Sequence, residues 1–187
     1  LNEGARHTFK ALDNYVSWFS RGNLYVELEI LHILGLFDRS AEIEAVNAVR
    51  MKPVIPGLTD HAVDPAFIGD ALSRLSKAGL IARNDADKNG TVDFIDAHPL
   101  IRQYFSDRLK QAQDGKAFQE GHRRLYHHYL KSASEYPTNA SEMSLLYRVI
   151  GHCCQAEEVK SAFDDLLVRR AWRNLSEDTR ERNFATR

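Results

Sequence analysis

Two cysteines in 187 residues, and those two adjacent, leave this chain without the makings of a disulfide framework. In a helical pattern Cys153 and Cys154 point in different directions, so a bridge between them would be strained. They read as reduced thiols, which fits a cytoplasmic compartment. Long apolar runs are also missing: none approaches the roughly 20 residues that cross a bilayer. The start, Leu1-Asn2-Glu3-Gly4, has no Met and no basic-then-apolar signal pattern. We therefore expect a piece cut from a longer chain. A phosphate-binding loop is absent too, since no G-x-x-x-x-G-K-[ST] occurs, and Gly115-Lys116 lacks both the spacing and the hydroxyl. Without that cradle the chain by itself is not expected to hydrolyse a nucleotide, or to be an enzyme.

No single sign of charge dominates. The net charge is −1, with 43% hydrophobic and 27% charged residues, the balance of an ordinary soluble globular protein. The distribution says more. Residues 24–108 hold 9 Lys and Arg against 13 Asp and Glu, and residues 116–187 hold 12 against 10. The first stretch therefore has the wrong sign for a nucleic-acid module.

Periodicity predicts a mainly helical protein. Phe9, Leu12, Tyr15, Val16 and Phe19 recur at helical spacing over residues 5–20. A second helix is expected from Leu24 to Leu36, with Leu24, Leu28, Leu31 and Leu34 on one stripe. A third should run from Ala41 to Val49 behind Ser40 as N-cap. Pro53 and Pro56-Gly57 make a loop. Asp64-Pro65 opens a helix that carries Phe67, Ile68, Leu72 and Leu75 and that Gly79 closes. Leu80–Arg83 and Thr91–Ile95 read as short strands around a turn-forming Asp85–Gly90 segment. Helix returns after His98-Pro99. That order, helices and then a hairpin, is expected to be a winged-helix domain with a small β-hairpin wing. Beyond the polar Gln111–Gly115 stretch, three helical patterns (117–134, 141–155 and 157–174) predict antiparallel helical-repeat hairpins. The resulting division is a helical lead-in at 1–22, a winged-helix domain at 23–110 and a truncated helical-repeat region at 116–187. Asp178–Arg187 is charged and weakly patterned, as at a frayed end.

Several ordered motifs resemble one family. The runs Leu31–Arg39 (LHILGLFDR), Ile55–Leu58 (IPGL), Leu75–Ile81 (LSKAGLI) and Asp96–Phe105 (DAHPLIRQYF) are similar to the winged-helix section of bacterial STAND ATPases, nucleotide-gated switches related to the NB-ARC proteins. Gly121–Tyr126 (GHRRLY), Leu145–Tyr147 and Gly151–Cys153 resemble the helices that follow, where a tetratricopeptide-like sensor begins. The resemblance implies a coupling role in signal transduction, with phage (antiviral) defence as a common setting. An upstream P-loop ATPase module of the same longer chain would hold ADP at rest and exchange it for ATP with Mg. A protein trigger would engage the repeats, and a homo-oligomer would form on activation, with neither DNA nor membrane as partner. It also implies one site residue. The family's Met-His-Asp motif lets a histidine touch the β-phosphate of ADP, and His98 stands at that place, with Ala97 and Pro99 where the Met and Asp would be.

Other constellations compete with that reading. Asp85, Asp87, Asn89, Asp93 and Asp96, with Gly90, match the ligand spacing of a calcium loop. The strand-like Leu80–Arg83, where an EF-hand needs a helix, and the short Asp96 at the twelfth position argue instead for a hairpin tip. A DNA-binding transcription regulator is the alternative function. Its recognition helix would be Asp64–Ala78, where Asp64 and Asp70 offset Arg74 and Lys77, ahead of an acidic wing. Arg102, one turn beyond His98, reads as a solvated helix residue. His122, His127 and His128 lack a metal-binding frame and are expected to pack or to lie at the surface. Phe118, Leu125, Tyr126 and Tyr129 read as inter-helix core.

Overall fold

The computed structural model describes residues 3–61, 68–85 and 92–171. The protein is mainly helical, with a small three-stranded antiparallel sheet. By its internal contacts the chain divides into two compact units, Leu1–Gly121 and His122–Arg187.

In the first unit α1 (Glu3–Arg21) is an amphipathic helix whose Leu12 and Phe19 are buried, while Tyr15 and Trp18 remain exposed. The turn after it places Asn23 at φ 54. α2 (Tyr25–Leu34) is the centre of the unit. Ile30, Leu31, Ile33 and Leu34 are all but fully buried, so this helix is covered on every side rather than along one stripe. The expected helix from Ser40 needs correction. Ala41–Glu42 form a strand, β1, and the helix α3 (Ile43–Arg50) is capped at Glu42 with extended backbone and no side-chain cap. Ala41 pairs with Ile95 and Glu42 with Phe94, and those partners are more than 50 residues away. Ladder bonding takes these two residues out of the helix.

α4 (Ile68–Lys77) buries Ile68, Ala71, Leu72 and Leu75. The expected Asp64-Pro65 start and Phe67 lie outside the described residues. Gly79 ends the helix at φ 69, as a left-handed stop should. β2 (Ile81–Asp85) and β3 (Val92–Ala97) pair antiparallel, and the sheet order is β1-β3-β2. The turn expected over Asp85–Gly90 falls almost wholly outside the described residues. α5 (Pro99–Gln111) then packs on α1 and α2 and buries Ile101, Tyr104, Phe105 and Leu109. Gln113, Asp114 and Gly115 all take positive φ, which separates α5 sharply from α6 (Lys116–Leu130).

In the second unit α6 stops at Leu130, earlier than its periodicity predicts. Ser132 and Ser134 lie just past its end, and such hydroxyls compete for backbone groups that would continue the helix. α7 (Ala140–Gln155) starts at Asn139, whose side chain accepts from the Glu142 N–H at 2.9 Å while Glu142 accepts from the Thr138 N–H. That is a reciprocal capping box. After Glu157 at φ 63, the short α8 (Val159–Ser161) runs on as a wider-turned π-helical stretch, Ala162–Ala171. Leu125, Tyr126, Tyr129, Leu146, Val149, Cys153 and Leu166 are its buried side chains, so the aromatic stripe of α6 is core. The frayed end expected at Asp178–Arg187 is outside the described residues. No helix among the described residues is long and apolar enough to cross a membrane.

Candidate functional site

His98 stands at the junction of β3 and α5, and the local sequence explains its pose. β3 ends at Ala97 because Pro99 has no N–H for a ladder and its fixed φ suits the first turn of a helix. His98 becomes the N-cap: its Nδ1 accepts from the Leu100 N–H at 3.2 Å, and its carbonyl accepts from the Ile101 and Arg102 N–H groups at 2.8 and 3.1 Å. Every backbone donor of the first turn is thus taken by His98 itself, and α5 offers no open N–H to an anion. With Nδ1 accepting, the neutral ring carries its proton on Nε2, and the residue is exposed. One outward donor is what this site holds.

Its neighbours form a pair. Arg102 reaches back to Asp96, whose Oδ1 also accepts from the Ala97 N–H at 2.8 Å. The Arg102 side chain is only 13% exposed, so the expectation of a solvated residue gives way to a covered ion pair. The pair neutralises a carboxylate that would otherwise repel phosphate beside His98. Asp96 lies in β3 and is committed to Arg102, which removes the twelfth-position oxygen from a calcium loop. Asp87, Asn89 and Gly90 of that loop are outside the described residues. Among the described residues no cluster of three or more His, Cys, Asp or Glu could hold a metal. These residues fit a single hydrogen bond to a phosphate oxygen; they do not form a nucleotide pocket.

A second polar cluster, invisible to periodicity, ties α2 to its neighbours. Glu29 is 4% exposed; its Oε1 accepts from the His61 N–H at 2.5 Å and its Oε2 lies 3.8 Å from the Arg50 guanidinium. Burial raises the Glu29 carboxyl above its ordinary value, against the opposing pull of the His61 N–H and of Arg50. Burial likewise lowers Arg50. The His61 ring stacks on Tyr25 with centroids 4.3 Å apart. Glu27, 1% exposed, binds Arg74 of α4. Two buried glutamates on one helix thus anchor α3 and α4, and the sequence hid them inside an apolar stripe.

On the far side of α5, Tyr104 donates to Asp13 of α1 at 2.5 Å, and Arg108 sits over its ring at 5.5 Å. Burial, reinforced by that hydrogen bond, pushes the Tyr104 phenol up to about 12. In the second unit His122 and His152 bring their Nδ1 atoms to 2.8 Å, a pairing across 30 residues that no local pattern announces. Cys153 is buried and Cys154 exposed, both as free thiols, and burial pushes Cys153 up to about 11.

No protein-family model, no curated protein and no solved structure matches this chain.

Proposed function

We propose that this chain is the coupling segment of a nucleotide-gated STAND-type switch, a winged helix followed by the first hairpins of a tetratricopeptide-like sensor, with no catalysis of its own. The observation that carries the winged-helix part is topological. α2, β1, α3, α4, β2 and β3 follow in that order, and β1 adds to the hairpin to give β1-β3-β2. The consecutive helices of the second unit support the repeat part. In this reading a P-loop ATPase module elsewhere in the same chain binds ADP or ATP with Mg, a cytoplasmic protein trigger engages the repeats, and activation assembles a homo-oligomer, in phage defence for instance. Coupling needs two discrete packings of the winged helix that ADP and ATP stabilise differently. His98, with its Nε2 donor directed outward, is the residue that would report nucleotide state.

DNA recognition is the weaker reading. Arg74, a cation of the helix that would enter the groove, is held by buried Glu27, and Arg83 of β2 is turned to the Ser73 hydroxyl at 3.0 Å. Both cations are occupied within the protein rather than displayed.

The test is ADP binding by calorimetry to the full natural chain, compared among wild type, His98→Ala and His98→Asn. Asn caps a helix well but has neither the reach nor the charge of an imidazole. Loss of one charge-assisted hydrogen bond costs about 1.5–3 kcal/mol, so both variants should bind ADP at least tenfold more weakly and raise basal activity. Unchanged affinity in His98→Asn would leave His98 as a cap alone and remove it from the switch.

A further inference from the structure

The buried contact between His122 of α6 and His152 of α7 has a chemistry of its own. Both residues are under 10% exposed, their ring centroids are 5.0 Å apart, and their Nδ1 atoms stand at hydrogen-bond distance. A hydrogen bond between two imidazole nitrogens holds one proton: one ring donates, the other accepts. A first added proton can sit on an outer nitrogen and leaves that bond intact, even strengthened by charge. A second added proton puts an N–H on both facing nitrogens, so two donors and two positive charges meet at 2.8 Å inside the unit. That state cannot form without separating the rings.

The surroundings make the contact structural. The His152 ring stacks on Tyr129 of α6 at 5.6 Å and 13°, and Arg148 of α7 covers the Tyr129 ring at 4.9 Å. Leu125, Leu146 and Val149 are fully buried in the same unit. The other titratable and charged groups on the elements around the pair are Arg123 and Tyr126 of α6, Cys153 of α7, Glu158 before α8, and Asp165 and Arg170 of the π-helical stretch. Glu158 is held by Arg123 at 2.8 Å, and Arg170 is turned to the Ala133 carbonyl. Burial raises Tyr126 and Cys153, so both stay neutral through the range where imidazoles titrate.

We propose that the His122–His152 contact is a proton-operated latch: it holds α6 to α7 at neutral pH and releases them when acidification protonates both rings. This device lies wholly in the second unit and does not depend on the nucleotide reading. An ordinary imidazole titrates near pH 6.5. Each proton that the closed state excludes therefore lowers the closed-to-open ratio about tenfold per pH unit below that value.

The experiment follows the full chain from pH 8 to pH 5, reading the histidine ring nitrogens by NMR and the exchange protection of the Leu146 and Val149 amides. Both rings should become fully protonated only as α7 loses protection, with exchange, corrected for its intrinsic rate, accelerating about tenfold per pH unit below about 6.5. In His122→Gln and His152→Gln, where one partner cannot charge, that acceleration should flatten. Two fully protonated rings with α7 still protected would overturn the latch, as would the same acceleration in the Gln variants. Should those variants not fold, the wild-type ring titration decides by itself.

Discussion

His32 lies on α2 with its ring edge-on to Phe105 of α5, centroids 5.1 Å apart. Burial, reinforced by the positive Arg108, pushes the imidazole down to about 4. A depressed imidazole contributes stability that is fully present above the unfolded value near 6.5 and is lost as pH falls from there towards 4. Acid unfolding monitored in the first unit should therefore cost on the order of 2–3 kcal/mol over that window. His32→Leu should flatten this dependence. Glu29 has the opposite sign. Its raised carboxyl opposes folding as pH rises past the ordinary carboxylate value, and Arg50 offsets part of that. Arg50→Met leaves the glutamate buried and uncompensated, so urea unfolding at pH 7 should show a loss of about 3–5 kcal/mol. That loss should shrink as acid protonates Glu29. An undiminished loss at pH 4 would assign the effect to packing instead. Neither residue was legible in the sequence as buried, because a single chain shows a residue's spacing but not its partners.

Among the elements, the crossing of α2 and α5 is the tightest. A Cβ on Gly35 would stand 2.6 Å from the Ser106 backbone nitrogen and 2.9 Å from the Phe105 carbonyl carbon. Backbone cannot yield, so Gly35→Ala should destabilise by about 3 kcal/mol or more in chemical denaturation. A Cβ on Gly121 would meet only the tips of Leu36 and Leu58 at 2.6 and 3.0 Å. Those side chains can turn, and Gly121→Ala should cost about 1 kcal/mol. Equal costs would mean the α2–α5 crossing adjusts freely. The existence of α1, α2, α5 and α7 was legible from three- and four-residue spacing. β1 was not, since two residues with no alternation carry no strand signal and their partners sit across the sheet.

On the scale of the whole molecule, charge decides what the protein can approach. A stretch of −4 over residues 24–108 gives a duplex no counterions to release. The chain should accordingly fail to retard a DNA duplex at about 0.15 M salt, and specific retardation there would restore the transcription-regulator reading.

Spacing and stop signals by themselves determined that this protein is mainly helical, where its hairpin falls and where α5 begins, because these depend on residues a few positions apart. Pro99 and His98 belong to that class: a cap and a helix start are local. Only the tertiary structure decided that β1 joins β3, that Glu27 and Glu29 are buried on α2, that Arg102 is bound by Asp96 rather than solvated, and that His122 meets His152. Apart from the Arg102–Asp96 pair, each of these joins residues 30 or more apart, and in all of them the geometry of packing selects the partner. A linear chain states which side chains exist; the fold alone brings two of them to hydrogen-bond distance.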